Sequence, residues 1–196
     1  MILDFEVNCN CYKEKILNYY GFWKYNCPMC HAPNTLTRHA KYNRYICTFS
    51  IDEIEEIEVT ILRLKCNSCN STHAILPTDT VPYAFYSFTF IFKILVEYFN
   101  EDTSTAKISN RSKVSHQTIY WYIAQYIINL CSSIYFLRIY LMIYISNDSS
   151  PKHVLEITIN KFSILEFVKK YFIYTKDIFL VKKRRNILSG NVRIGI

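Results

Sequence analysis

The sequence predicts an α+β protein in which a small β-rich part precedes a helical part. In the first part, two Cys-x-x-Cys pairs flank segments rich in β-branched and aromatic residues, which favour strands. Beyond Pro82, long apolar and aromatic stretches carry polar residues at helical spacing. Hydrophobic residues make up 51% of the 196 positions, so the chain can bury a core in one ordinary domain or two small ones.

The cysteine pairs predict a structural zinc site. Their four thiolates are the ligand set that tetrahedral zinc takes, and they belong to Cys27, Cys30, Cys66 and Cys69. Four sulfur ligands leave no open position for a reactive water, so we expect Zn²⁺ to be structural here. Buried or disulfide-paired thiols are the alternative. We expect a reducing, cytoplasmic setting, because residues 1–6 lack the basic and apolar pattern of a signal peptide.

Other cysteines and histidines offer weaker signals. Cys9 and Cys11 stand too close together for another pair of this kind, and the apolar strings around Cys47 and Cys131 predict core positions. Three histidines lie near the cysteine pairs, namely His31, His39 and His73. One of them could replace a cysteine as ligand or hydrogen-bond a sulfur, although ordinary surface or core positions are the simpler expectation.

Residues 22–80 have the element order of a zinc ribbon. We expect two antiparallel strands at residues 45–51 and 58–65, and a short last strand at residues 73–77. The acidic run 52–58 is expected to be a solvated connection between the first two strands. In such a ribbon the metal stabilises a fold whose core is too small to hold itself.

Residues 81–146 predict a helical region. A buried helix is expected over residues 83–99, where Lys93 and Glu97 stand four apart on one polar face. These charges make a buried helix more consistent with the sequence than a membrane span. For the apolar residues 126–145 a span is an alternative from hydropathy alone, but Arg138 would be costly inside a bilayer. We therefore expect no membrane partner.

Residues 103–128 predict a short helix, a tight turn and a longer helix, which is the pattern of a helix-turn-helix. Ser115 is placed to cap the longer helix, and Val114 to pack between the two. Ile119, Ile123 and Ile127 stand four apart and predict the buried face of the longer helix. Gln125 is expected on another face. Ser112 departs from the pattern, since such motifs carry a larger apolar residue there. Two ordinary core helices are the alternative.

The two ends of the chain carry weaker patterns. Residues 1–21 form an N-terminal extension with a short helix near residues 12–20. Residues 147–196 form a short basic segment. Its predicted elements are a linker, a strand, a helix, a second strand and a basic cluster, at residues 147–151, 154–159, 161–174, 178–181 and 182–185.

Positive charge is concentrated in the second half of the chain. Residues 1–100 hold 9 basic and 10 acidic side chains, whereas residues 101–196 hold 14 and 6. This excess favours a polyanion, DNA before membrane, and a solvated basic face is the alternative. Seven residues are candidates for DNA contact. Three cations would contact phosphates, namely Lys107, Arg111 and Lys113. Four residues at the start of the second helix would face the major groove: Ser115, His116, Gln117 and Tyr120.

The motifs follow one another in a definite order. A cysteine pair, a segment with Arg38, His39 and Arg44, a second cysteine pair and the run 114–120 succeed each other along residues 22–128. This order resembles an uncharacterised bacterial family that carries a transposase-like zinc ribbon followed by a helix-turn-helix. It is also similar to the N-terminal portion of insertion-sequence transposases. The resemblance implies zinc ligation by the four cysteines and recognition of a mobile element's terminal DNA.

The sequence lacks a recognisable catalytic set. Strand transfer needs three carboxylates around two metal ions, and the acids beyond the helix-turn-helix are only Asp148, Glu156, Glu166 and Asp177. We therefore expect a DNA-binding protein related to mobile elements, and not an enzyme. The first alternative is a zinc-stapled interaction module, including a homo-oligomer, whose surface is formed by residues 83–99 and 119–145. The second is a nuclease or transposase subunit that another chain completes.

Overall fold

The computed structural model describes the chain in six stretches, which are residues 1–4, 6–9, 11–18, 25–50, 53–175 and 177–181. It is a mixed α+β protein, as predicted. The chain divides into two compact units. Within the described stretches, the first unit holds residues 1–47 and 55–87, and the second holds residues 48–54 and 88–181.

A four-stranded sheet with the strand order β1-β4-β3-β2 forms the β-rich part. Its strands are β1 Ile2–Asp4, β2 Leu36–Ser50, β3 Glu53–Cys66 and β4 Thr72–Pro77. β1 runs parallel to β4, with Leu3 opposite Leu76, and β3 runs antiparallel to β4, with Leu64 opposite His73. β1 lies in the segment for which the sequence predicted only an extension, because three residues are too few to show an alternating pattern.

The first two predicted strands are present but much longer than expected. β2 begins at Leu36 and β3 at Glu53, whereas the sequence placed them at residues 45 and 58. The acidic run therefore lies almost entirely inside β3, and its prediction as a connection is wrong. Its described acidic side chains, at residues 53, 55, 56 and 58, are exposed, so the composition resembles that of a loop, while the pairing with β2 makes a strand. The predicted last strand is confirmed as β4.

Among the described residues, six α-helices follow the sheet along the chain: α1 Phe88–Phe99, α2 Thr105–Ser112, α3 His116–Ile128, α4 Leu130–Ile139, α5 Pro151–Lys161 and α6 Ile164–Thr175. α1 begins five residues later than predicted, because bridges to Cys47 and Thr80 hold Tyr86 and Ser87 extended. Near the N-terminus, a single π-helical turn at Lys13–Leu17 takes the place of the short helix predicted at residues 12–20.

Two predicted strands near the C-terminus are wrong. Residues 154–159 lie in α5, which starts with Pro151 and is capped by the Ser150 hydroxyl. Of the β-branched residues that suggested a strand, Val154 and Thr158 stand four apart and are buried on one face of this helix. Residues 178–181 form a turn. The predicted helix 161–174 corresponds to α6, and the basic cluster 182–185 lies outside the described residues.

An aromatic core holds the helices of the second unit together. Phe167 of α6 packs edge-on against Phe136 of α4, Phe92 of α1 and Phe179, with ring centroids 5.2 to 6.2 Å apart. All four rings are buried. Edge-to-face pairs of this kind add to the stabilisation from burial itself. No helix in the described stretches is long and apolar enough to cross a bilayer.

Candidate metal centre and nucleic-acid interface

The four cysteines predicted as metal ligands converge in the first unit. The Sγ atoms of Cys27, Cys30, Cys66 and Cys69 all lie within 4.8 Å of one another. The Sγ atoms of Cys27 and Cys69 are 3.6 Å apart, and those of Cys30 and Cys66 are 3.7 Å apart. Four sulfurs about 2.3 Å from a zinc ion form a tetrahedron with edges of about 3.8 Å. The cluster is therefore a possible metal site, and two of its six sulfur–sulfur distances are close to that edge length.

Both cysteine pairs sit in loops of the same backbone design. The N–H of His31 donates to the carbonyl of Cys27, and the N–H of Asn70 donates to the carbonyl of Cys66, each at 2.9 Å. In both loops the first cysteine's N–H also donates to the carbonyl five residues further on. His31 and Asn70 both have φ of +60°, a left-handed conformation in which Asn and His are enriched. The two loops thus present their sulfurs in the same way.

Hydrogen-bond donors surround the sulfurs. The N–H of Met29 lies 3.4 Å from Cys27 Sγ, and His73 Nε2 lies 3.3 Å from the same sulfur. Thr35 Oγ1 lies 3.2 Å from Cys66 Sγ. Such groups orient ligating sulfurs and offset their charge. The position of His73 near the second cysteine pair indicated that it could hydrogen-bond a sulfur, whereas nothing in the spacing of Thr35 distinguishes it from other loop residues.

The surroundings of the sulfurs shift the pKa values of the thiols. Burial raises the pKa of Cys27 to about 12. Burial also raises the pKa of Cys66, but hydrogen bonds from Thr35 and from the backbone of its own loop outweigh it and bring the pKa to about 6. Burial, and then the Met1 amine, lower the pKa of His73 to about 4, so its ring is neutral at pH 7. A neutral ring has one donor and one acceptor nitrogen, which suits its position between the amine and a sulfur.

The remaining cysteines and histidines lie outside this cluster. Cys9 and Cys11 are half-buried, and Cys47 is buried, as expected of a core residue. Cys131 is exposed on α4, so its predicted core position is wrong. The apolar string around it is divided between the two faces of the helix, which hydropathy along the chain does not resolve. His39 is exposed on β2.

α2 and α3 are joined by a tight turn close to the predicted position. Lys113 ends α2 in a left-handed conformation with φ of +58°, and the Ser115 hydroxyl caps α3 by accepting from the N–H of Thr118. Val114, between them, is buried, as predicted. Ser112 is buried where a larger apolar residue was expected, because its hydroxyl donates to Ile108 at 2.6 Å and accepts from Val114 at 3.3 Å. The turn thus satisfies the polar atom that it buries.

The seven residues predicted to contact DNA are all exposed: Lys107, Arg111, Lys113, Ser115, His116, Gln117 and Tyr120. At least three of their side chains already have partners within the chain, and one of these is the capping hydroxyl of Ser115. The Arg111 guanidinium forms an ion pair with the carboxylate of Glu97, whose side chain is 1% exposed. Thr105 donates to the Tyr120 hydroxyl at 3.1 Å. The ion pair connects α2 to α1, and the hydrogen bond from Thr105 connects α2 to α3.

The buried face of α3 differs from the predicted one. Ile119 and Ile123 are buried, but Ile127 is 48% exposed, so the predicted third position is wrong. Tyr122, Gln125 and Tyr126 are buried instead, and Gln125 was expected on another face. A helix has 3.6 residues per turn, so residues four apart do not lie directly above one another but differ by about 40° around the helix axis. Over two such steps the difference is large enough to move the third side chain from the buried face to the edge of that face.

Comparison with known proteins yields one match. Residues 27–120 match a domain of unknown function (DUF6431), which is somewhat under half of the chain. The matched span begins at the first cysteine of the cluster and ends in α3, so it takes in the four cysteines and the α2–α3 turn. No curated protein and no solved structure shows a significant match.

Proposed function

We propose that the protein is a zinc-dependent DNA-binding protein in which α3 enters the major groove. The observation that carries this proposal is the exposed, capped start of α3. His116 and Gln117 are exposed there, directly after a tight turn, with Lys113 beside them. Glutamine can pair with adenine, and a lysine can hold a phosphate.

Zinc is the metal that best suits the cysteine cluster. Four sulfur ligands that lie within 4.8 Å of one another favour zinc over oxygen-preferring ions such as Mg²⁺ and Ca²⁺. When bound, the ion cross-links the two loops and supplies no reaction. The chain's own residues support it, since Thr35 and His73 approach the sulfurs and the twin loop backbones orient them.

The relation to mobile elements rests on the order of the motifs. A ribbon with two cysteine pairs, followed by a helix pair, resembles the DNA-recognition portion of insertion-sequence transposases. The acids of the second half include no triad that would support strand transfer. We therefore propose a regulator or a transposase-derived remnant that binds DNA without cutting it.

A salt titration tests duplex binding. The zinc-loaded protein should bind a mixed-sequence duplex with an affinity that falls steeply as salt rises, with a log-log slope of about −0.9 for each neutralised phosphate. Gln117→Ala and Lys113→Ala should each weaken binding by about 5- to 100-fold at the preferred site while the fold stays intact. Lys161→Ala, an exposed lysine at the end of α5, is the matched control. No binding at low salt would refute the proposal.

A second candidate function is an interaction module, and one observation favours it. Seven large apolar side chains are exposed at the end of α3, along α4 and just beyond it: Ile127, Ile128, Tyr135, Ile139, Tyr140, Met142 and Tyr144. Apolar groups this dense on a surface are typical of interfaces. Sedimentation equilibrium of the wild type and of Ile128→Asp separates the two functions. A concentration-dependent oligomer that the variant disperses would support the module.

A further inference from the structure

A groove on the first unit combines exposed aromatic rings with arginines. Its volume is about 490 Å³. The side chains that define it come from β2, β3 and the loop after β4, and they are Tyr42, Arg44, Tyr45, Arg63, Tyr83 and Phe85. Three of these rings are 42% to 74% exposed. Neither the cysteine cluster nor the α2–α3 pair uses any of them.

The loop that carries two of these rings is fixed to β2. The Arg44 guanidinium donates to two carbonyl groups of the loop. The N–H of Cys47 donates to the carbonyl of Phe85 at 2.9 Å. Tyr83 has φ of +63°, a conformation that a bulky residue keeps only where the surrounding structure imposes it. The rings are thus exposed but held in place, which reduces the entropy lost when a ligand binds them.

The charge of the groove favours an anionic ligand. Arg63 lies over the ring of Tyr42, 5.4 Å from its centroid, with its side chain exposed. The described residues that line the groove include two arginines and no carboxylate. Glu58, next to the lining, forms a hydrogen bond with the Tyr45 hydroxyl. Flat rings beside guanidinium groups suit a ligand that is both planar and negatively charged.

We infer that this groove binds the unpaired nucleotides of single-stranded nucleic acid. Bases stack on Tyr83 and Phe85, and the sugar-phosphate backbone runs past Arg63. Aromatic platforms beside basic side chains bind single strands without sequence preference, because every base has a flat face. The inference goes beyond the duplex interface proposed for α3 and does not rest on it, since the groove belongs to the first unit.

Fluorescence anisotropy with a single-stranded probe tests the inference. The probe is a labelled oligothymidylate of about 15 nucleotides, mixed with the zinc-loaded full chain. Tyr83→Ala and Phe85→Ala should each weaken binding by about tenfold, the loss of one stacked base. Tyr174→Ala removes a ring that is 46% exposed in the second unit, about as exposed as Phe85, so it should leave binding unchanged. Circular dichroism and zinc content establish that each variant is folded.

Three results would overturn the inference. The first is the absence of oligothymidylate binding at low salt. The second is an abasic oligonucleotide of the same length binding as tightly, since phosphate attraction alone would then explain the affinity. The third is poly-glutamate binding in place of the oligonucleotide, which would assign the groove to acidic protein segments. Gln117→Ala should weaken duplex binding only, so failure of the α3 proposal is distinguishable from failure of this one.

Discussion

At the residue scale, the chemistry of the first unit depends on partners that are distant along the chain. Cys27 and Cys69 are 42 positions apart, and their sulfurs lie 3.6 Å from each other. His73 and Thr35 complete the surroundings of the sulfurs from two further segments. We expect a single substitution in such a site to weaken it strongly, because no neighbouring residue along the chain can take over the lost ligand or hydrogen bond.

Cys27→Ser and Cys66→Ser are each expected to abolish stoichiometric zinc binding and to unfold at least the first unit. In small ribbons the free energy of metal binding is largely the free energy of folding, about 10 kcal/mol or more. Zinc content measured by mass spectrometry, together with circular dichroism, tests this. Cys131→Ser is the matched control, since that thiol is exposed and outside the cluster. Full zinc occupancy in both cluster variants would refute the ligand assignment.

Arg111→Ala is expected to destabilise the protein by about 3 kcal/mol, because it leaves the buried carboxylate of Glu97 without its cation. Lys107→Ala, an exposed lysine on the same helix, should change stability by less than about 0.5 kcal/mol. Urea denaturation measures both. Adding Glu97→Gln to Arg111→Ala should recover part of the stability. If Arg111→Ala is as neutral as the lysine control, the ion pair does not stabilise the fold.

At the element scale, the α2–α3 connection shows how local signals specify a turn. Ser104 and Ser115 each cap the helix that follows, and Lys113 ends α2 in a left-handed conformation. Val114 is buried at the turn. These features are local in sequence, which is why both helix boundaries could be predicted. The buried face of α3 was less predictable, because it depends on which neighbours the helix meets.

Ser115→Ala is expected to cost about 1 kcal/mol of stability, since it removes the hydroxyl that accepts from the N–H of Thr118. Ser115→Asp should retain most of that stability, because a carboxylate also caps and suits the positive end of the helix. The same aspartate should weaken duplex binding by repelling phosphates. Thermal melts and anisotropy measure the two effects. Equal stability of the alanine variant and the wild type would show that the cap is dispensable.

At the scale of the whole molecule, the positive charge is unevenly distributed along the chain. The basic excess of the second half comes mainly from Lys176 and from residues 182–196, which lie outside the described stretches. Residues 182–196 contain five basic and no acidic side chains. The positive charge that favours a polyanion partner therefore lies in the C-terminal segment more than in α2 and α3.

Truncation after Val181 tests this distribution. Removing the five basic side chains of residues 182–196 should make the log-log salt slope of duplex binding shallower by up to about 4.5, or about 0.9 for each phosphate that is no longer neutralised. The preference for a specific site should persist, since we propose that α3 reads it. Anisotropy titrations at several salt concentrations provide the measurement. An unchanged slope would exclude the C-terminal segment from binding phosphates.

The sequence by itself determined the features that depend on local chemistry. The spacing of the cysteines predicted the cluster, the residues around Ser115 predicted a helix boundary, and a short strand was expected at residues 73–77, where β4 lies. Each of these signals lies within a few consecutive residues, so short patterns suffice to recognise it, although the cluster also requires the fold to bring its two loops together. The apolar content also predicted a real core.

Tertiary structure alone decided the features that depend on distant partners. Pairing with β2 makes a strand of an acidic run that resembles a loop, and β4 recruits the three residues of β1. Residues 154–159 became helical because Ser150 and Pro151 start a helix, and the buried face of that helix meets the second unit's core. The groove of exposed rings likewise exists only because Arg44 fixes a distant loop to β2. Strand pairing and side-chain burial depend on segments that are distant along the chain. A short stretch of sequence therefore does not predict which strand it pairs with or which of its side chains are buried.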